Sequence, residues 1–251
     1  ATAAQTITVK DNSTLTLGGA VTIVAAAPLT VNNGAAGPDA TGNIIFGSTV
    51  NGAAALTVDL VGDATFTGAV GGVTPLTSIT ITTADDVTFS STVATTGNLT
   101  QTAGTGATTL SGGTIGGTLT INNESVTLAG GTLAVAGNTT LNATIAGVTQ
   151  TAGALITPAL TLTGVGAFSL PQAANDFNTL TANVDGNVTI RDVDDLAIAG
   201  ITTTADIISI TAGAAVTQTA PIIGAALELR GAGPFTLPGA NVVATLAANV
   251  T

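Results

Sequence analysis

Leu76-Thr-Ser-Ile-Thr-Ile-Thr82 ends in a strict alternation of isoleucine with serine or threonine, and Gly117-Thr-Leu-Thr-Ile121 has the same pattern. A period of two places the aliphatic side chains on one face of a β-strand and the hydroxyls on the other. Glycine pairs such as Gly71-Gly72 and Gly112-Gly113 separate these segments and supply the backbone freedom that sharp corners need. Helical periodicity is not sustained anywhere, so we expect almost no helix.

The spacing of the bulky apolar residues that end the Thr-rich segments predicts how the strands are arranged. Successive members lie roughly 20 residues apart, the length of one turn of a solenoid. This first column contains Phe46, Phe66, Phe89, Leu110, Leu128, Val148, Phe168, Ile190, Ile210 and Leu229. A second column, half a turn out of phase, contains Leu56, Leu76, Leu99, Leu119, Leu141, Leu160, Leu180 and Ile201. We therefore expect an all-β parallel β-helix of about twelve coils, each of roughly 20 residues.

A longer repeat is superimposed on the coils. Val148-Thr-Gln-Thr-Ala152 recurs as Val216-Thr-Gln-Thr-Ala220, and Gln101-Thr-Ala-Gly104 is a weaker copy. The similarity continues through about 148–184 and 216–250, with a period of about 67 residues. We interpret 1–251 as a single β-solenoid segment of a longer repeat array.

Composition excludes several classes of function. The chain has no Cys or His, so thiolate or imidazole catalysis, a zinc site and disulfides are ruled out. Its formal net charge is −11 with three basic residues, so it cannot neutralise the phosphates of a nucleic acid. Its apolar runs are shorter than the ~18–20 residues that span a bilayer as a helix. We expect a protein that is not an enzyme.

The interior of such a coil is narrow, which suits Val, Ile, Leu and Ala and few aromatic residues. Phe46, Phe66 and Phe89 lie on the apolar phase of their strands, so they are expected to form a stack in the core. Charged residues are only 7% of the chain. Because like charges on adjacent coils would face each other, at a cost of about 1 kcal/mol even in water, the architecture itself favours Thr, Ser and Asn.

The repeats resemble a known family. Phe46-Gly-Ser-Thr-Val-Asn-Gly52, the segment from Phe66 to Ile81 and the Val-Thr-Gln-Thr-Ala repeats are similar to the β-strand repeats of filamentous-haemagglutinin-like bacterial exoproteins, which are exported by two-partner secretion. The resemblance covers roughly residue 42 onward. It implies a right-handed β-helix and an extracellular or cell-surface location. The family's amino-terminal secretion domain is not found here, and the resemblance transfers no functional residues.

Acidic residues supply the candidate sites. Asp192, Asp194 and Asp195 could hold Ca²⁺, which takes six to eight oxygen ligands. The alternative is a solvated turn, because the glycine-rich nonapeptide of calcium-binding β-rolls is missing. No other cofactor is expected. A carboxylate pair could also hydrolyse glycosides, but the chain has no Tyr or Trp to stack on a sugar.

Thr-x-Thr pairs are frequent, as at Thr80–Thr82 and Thr118–Thr120, and a flat array of them would resemble an ice-binding solenoid. Thr is also the usual outward residue of an uncharged strand, and the spacing of the pairs drifts along the chain. We therefore expect a structural segment of a bacterial surface fibre or adhesin stalk. A self-assembling sheath or surface layer is the first alternative, and an ice- or polysaccharide-binding solenoid the second. Partners would be neighbouring copies, other cell-surface proteins or glycans, with no nucleic acid and no membrane span.

Overall fold

The computed structural model describes residues 3–33, 41–204 and 206–251, whose regular structure consists of β-strands without a helix. The first strands are β1 (Gln5–Thr8), β2 (Thr14–Leu17), β3 (Val21–Thr22), β4 (Leu29–Asn32), β5 (Asn43–Phe46), β6 (Val50–Asn51), β7 (Ala55–Asp59), β8 (Ala64–Phe66), β9 (Ser78–Thr83), β10 (Val87–Phe89), β11 (Val93–Thr95), β12 (Leu99–Gln101) and β13 (Ala107–Leu110). The remainder are β14 (Gly113–Ile115), β15 (Leu119–Leu128), β16 (Leu133–Val135), β17 (Thr139–Gln150), β18 (Leu155–Val165), β19 (Phe168–Leu170), β20 (Asp176–Asp185), β21 (Val188–Asp192), β22 (Leu196–Thr203), β23 (Ile207–Ala212), β24 (Val216–Gln218), β25 (Ile222–Gly231), β26 (Phe235–Thr236) and β27 (Val242–Val250).

Each coil has three strand positions, and each position pairs in parallel with the same position of the neighbouring coils. The Leu face contains β1, β4, β7, β9, β12 and the first parts of β15 and β17. The Phe face contains β2, β5, β8, β10, β13 and the last parts of β15 and β17. The short face contains β3, β6, β11, β14 and β16.

After β17 the long strands bend around other corners. β18, β20 and β22 run from the short face into the Leu face, and β25 and β27 run from the Leu face into the Phe face. The chain is therefore a parallel β-solenoid of about 12 turns of roughly 20 residues, which confirms the predicted fold class.

The register corrects parts of both predicted columns. Val148 pairs with Phe168, but it is Gln150, two residues later, that pairs with Leu128 of the first column. On the Leu face, Ile79 occupies the position predicted for Leu76, and Thr139 occupies that of Leu141. Likewise Leu180 pairs with Ile198, and the predicted Ile201 pairs with Ala182. At Val148 and Leu141 the shift is two residues, which keeps the side chain on the inward face, so alternation alone cannot reveal it.

At these two positions the columns differ from the prediction in register and agree in phase. Leu76 instead forms a bridge with Thr95 on the short face, where it is fully buried. Thr139 is tolerated inside the coil because its hydroxyl donates to Thr157 Oγ1 at 3.0 Å.

The two copies of the long repeat lie on different faces. Val148 is on the Phe face, whereas Val216 pairs with Leu196 on the short face. Likewise Leu160 is on the Leu face, whereas Leu227 is on the Phe face. A period of about 67 residues is three coils of about 20 plus a third of a coil, so each copy begins one face further round.

Two glycines show that the copies keep the same corner geometry despite the change of face. Gly164 has φ +112° and Gly231 has φ +120°. At both positions a Cβ would lie 1.9 Å from a carbonyl oxygen of the coil below, that of Ala143 or of Ala212. Both corners therefore require glycine, for its positive φ and for its missing side chain.

Candidate functional site

The predicted aromatic column lies in the interior. Phe46, Phe66 and Phe89 are at most 1% exposed, and their rings stack in parallel with centroids 4.9 Å and 4.5 Å apart. The stacking follows from the register, because the three residues occupy one position on consecutive coils. These rings contribute to the core and present no binding surface.

The structure separates the three aspartates of the calcium hypothesis. Asp192 is 2% exposed, and its carboxylate accepts hydrogen bonds from the backbone N–H groups of Phe177 and Asp194, at 2.8 Å and 3.2 Å. Asp194 and Asp195 are exposed, and Asp195 accepts the N–H of Ala215 in the next coil at 2.8 Å. Within the described ranges no group of three acidic, Cys or His side chains is arranged to hold a metal ion.

Burial is the main cause of the shifted pKa of the Asp192 carboxyl group. Loss of solvation raises the pKa of its carboxyl group from 3.8 to about 6, and the two backbone hydrogen bonds oppose that rise. The nearby carboxylates of Asp194 and Asp176 add a smaller increase through like-charge repulsion. Asp192 follows Val188 and Ile190 at intervals of two, so the strand's own period assigns it to the interior.

Acidic side chains concentrate along the corner between the Leu and Phe faces. The members described there are Asp11, Asp63, Asp85, Asp86, Glu124, Asp185 and Asp206. Several of them join coils: Asp63 accepts the N–H of Asp86 at 3.2 Å, and Asp86 accepts that of Ala107 at 2.7 Å. Asp85 accepts the hydroxyl of Thr105 at 3.0 Å. These contacts give the carboxylates a structural role in holding one coil on the next.

Asparagine does the same at other positions. Asn43, Asn98 and Asn187 each accept a backbone N–H from the coil that follows, at 2.8–2.9 Å. Asn142 donates to Asn122 Oδ1 at 2.7 Å and accepts the hydroxyl of Thr163 at 3.0 Å, which forms a ladder along the outside of the Leu face.

In two of the three Gln-Thr-Ala segments the glutamine forms a reciprocal pair with an asparagine, and sequence reasoning did not anticipate it. Gln150 and Asn175 donate to each other at 2.7 Å and 2.8 Å, and Asn175 also accepts the N–H of Leu155 at 2.8 Å. Gln218 and Asn241 form the same reciprocal pair one face further round. The alternation of each strand could have predicted that the glutamines point inward, because each lies two residues after a buried valine.

The third copy of this arrangement is incomplete. Asn123 accepts the N–H of Gly106 at 3.1 Å, as Asn175 accepts that of Leu155. Here, however, Thr108 lies between the two amides: it donates to Gln101 Oε1 and accepts from Asn123. Gln101 Nε2 is the buried side-chain polar atom without a partner in the described part of the chain.

The outward residues of the Leu face form a continuous column of threonine. Its members, paired from coil to coil, are Thr6, Thr30, Thr57, Thr80, Thr100, Thr120, Thr140, Thr161 and Thr181. The spacing of these threonines varies along the sequence, yet the column is continuous because the additional residues lie in the corners between strands. Among the described residues, none of these hydroxyls has a hydrogen-bond partner in the protein.

A shallow groove beside Asp194 and Asp195 lacks the features of an active site. It has a volume of about 430 Å³ and is lined by Asn178, Asp194, Asp195, Leu196, Ala197, Ala215 and Thr217. It has no aromatic side chain for a sugar to stack on, and its two carboxylates are sequence neighbours on one turn. This arrangement does not resemble the opposed carboxylates that glycoside hydrolysis needs.

No protein-family model matches the chain, and neither the curated proteins nor the solved structures that were compared contain a match. In the described ranges no helix is long and apolar enough to cross a membrane.

Proposed function

We propose that this chain is a structural segment of an extracellular bacterial surface fibre or adhesin stalk, of the filamentous-haemagglutinin-like kind. The observation that carries the proposal is the uninterrupted parallel pairing of about 12 turns around an apolar interior. Neighbouring coils bury one another's apolar residues, so length can grow without a new core.

The outward surface supports the same role. It consists largely of Thr, Ser, Asn and Gly, with carboxylates concentrated at one corner and a net charge of −11. A fibre of this charge resists non-specific association with other acidic surfaces. Neighbouring copies, other surface proteins or glycans would then meet the segment through its faces, and the segment would serve as a spacer without catalysis.

Electron microscopy of the purified chain tests this proposal against the sheath alternative. We expect separate rods about 58 Å long, from about twelve coils that rise ~4.8 Å each. Ordered side-by-side arrays at micromolar concentration would favour a self-assembling sheath instead. Particles without an elongated axis would contradict both functions.

A further inference from the structure

The Leu face has a regular outer surface. Neighbouring coils in a parallel sheet lie ~4.8 Å apart, and alternate residues along a strand lie ~6.6 Å apart, so the Thr column is the centre of a two-dimensional lattice. The ladder of Asn122, Asn142 and Thr163 occupies the next column on one side. Because the ladder residues are bonded to each other, while the Thr hydroxyls have no protein partner, the face is ordered and still free to bind.

Charge is nearly absent from this face. In its described strand segments, carboxylates occur only as the last residue of a strand, at Asp59 and Asp185. The Phe face differs, because Arg191, Arg230 and Glu228 project from its strands. Ions impose their own strong order on nearby water, so an uncharged lattice of hydroxyl and methyl groups suits a regular water structure better.

The dimensions and composition argue against other partners. Nine coils give a strip roughly 38 Å long and little more than 10 Å wide, well below the ~800 Å² per partner of a standard protein interface. It also lacks the Trp, Tyr and Arg that anchor such interfaces. Sugar polymers would need aromatic side chains to stack on, and the chain has no Tyr or Trp.

We propose that the Leu face binds ice through the methyl and hydroxyl groups of its threonine column. Each hydroxyl can both donate and accept a hydrogen bond, and each methyl group restricts the orientation of the water beside it. Repetition at nine consecutive coils would hold many lattice waters at once, so that weak single contacts act together. This inference does not depend on the stalk function, because a stalk without ice affinity would serve equally well as a spacer.

The test is partition of the purified chain into a slowly growing ice crystal, with thermal hysteresis measured on the same samples. Thr100 is the middle member of the column, and Thr100→Lys would place a charged side chain in the centre of the strip. We expect the wild type to be enriched in ice and Thr100→Lys to lose that enrichment roughly tenfold, equivalent to ~1.4 kcal/mol of binding. Thr114→Lys is the matched control, because Thr114 lies on the short face between Ala94 and Ala134.

The control should retain wild-type enrichment, and circular dichroism of both variants should show an intact β-solenoid. Exclusion of the wild type from ice, or equal loss in both variants, would overturn the proposal. Retention on insoluble cellulose or chitin without enrichment in ice would reassign the face to a polysaccharide. A dimer in sedimentation that Thr100→Lys dissociates would reassign it to a second copy of the chain.

Discussion

At the scale of single residues, the inward or outward phase of a side chain decides its contribution. Phe66 is fully buried between the rings of Phe46 and Phe89, whereas Thr67, its neighbour, is exposed. Backbone pairing fixes the coils above and below, so the interior cannot collapse around a missing ring.

Phe66→Ala is therefore expected to destabilise the chain by about 3–5 kcal/mol, mainly in the adjacent coils. Thr67→Ala should change stability by less than about 0.5 kcal/mol, because it removes only an exposed hydroxyl. Urea denaturation followed by circular dichroism measures both. Small and equal effects would contradict the inward placement of the ring.

Asp192 predicts a pH dependence of stability. Because burial raises its pKa from 3.8 to about 6, the folded chain binds this proton more tightly than the unfolded chain does. The stability that protonation supplies is complete below pH ~4 and is lost as the pH rises to ~6. Glu228 has the opposite shift, because the hydrogen bond from Arg230 lowers its pKa, and its contribution to the pH dependence of stability lies at lower pH.

The melting temperature of the wild type should therefore fall between pH 4 and pH 6.5, within the range that the pKa of about 6 sets. In Asp192→Asn that decline should be absent. Differential scanning calorimetry at several pH values makes the comparison. An unchanged slope in the variant would show that another group is responsible.

At the scale of strands and corners, the glutamine–asparagine pairs hold the turns that follow Gln150 and Gln218. Gln150 exchanges two hydrogen bonds with Asn175, donates to the carbonyl of Gly153 at 3.2 Å and accepts from Gln172 at 3.4 Å. Gln101 accepts one bond from Thr108, and its Nε2 has no partner. The two glutamines are equally inward but unequally satisfied.

Gln150→Leu should accordingly destabilise the chain by roughly 2–4 kcal/mol, because Asn175 would lose two of its buried hydrogen bonds. Gln101→Leu should cost clearly less, since it also removes an unsatisfied donor. Thermal unfolding of the two variants under identical conditions gives the ranking. A reversed order would mean that the pair around Asn175 does not support the corner.

Sequence reasoning predicted the features that follow from the alternation of apolar and polar residues. It failed for the register between coils, which depends on the length of the corners. Alternation identified the strands, the coil length and the inward phase of Phe66. It could not place Val148 and Phe168, since corners of variable length shift the register by two residues without changing the phase. Asp192 looked like a solvated turn because its neighbours Asp194 and Asp195 are polar, although its phase is that of the core.

At the scale of the molecule, the coils stack into a rod. A rod about 58 Å long and about 20 Å wide has a radius of gyration of about 18 Å, the same as a compact domain of this length. Small-angle scattering should distinguish them by the distance distribution, which we expect to be skewed and to extend to about 60 Å. A symmetric distribution ending near 46 Å would indicate a sphere with that radius of gyration.

Because each copy of the long repeat begins one face further round, the repeat determines how surface features are distributed around a fibre. Three successive copies of about 67 residues would cover about ten coils, or ~48 Å, and return to the starting azimuth. A side chain that occurs once in each copy would then follow a helical path around the axis and project from each of the three faces in turn. That side chain would not be concentrated on one side of the fibre, so neighbouring fibres could not associate along a line of it, and a partner could reach it from three directions.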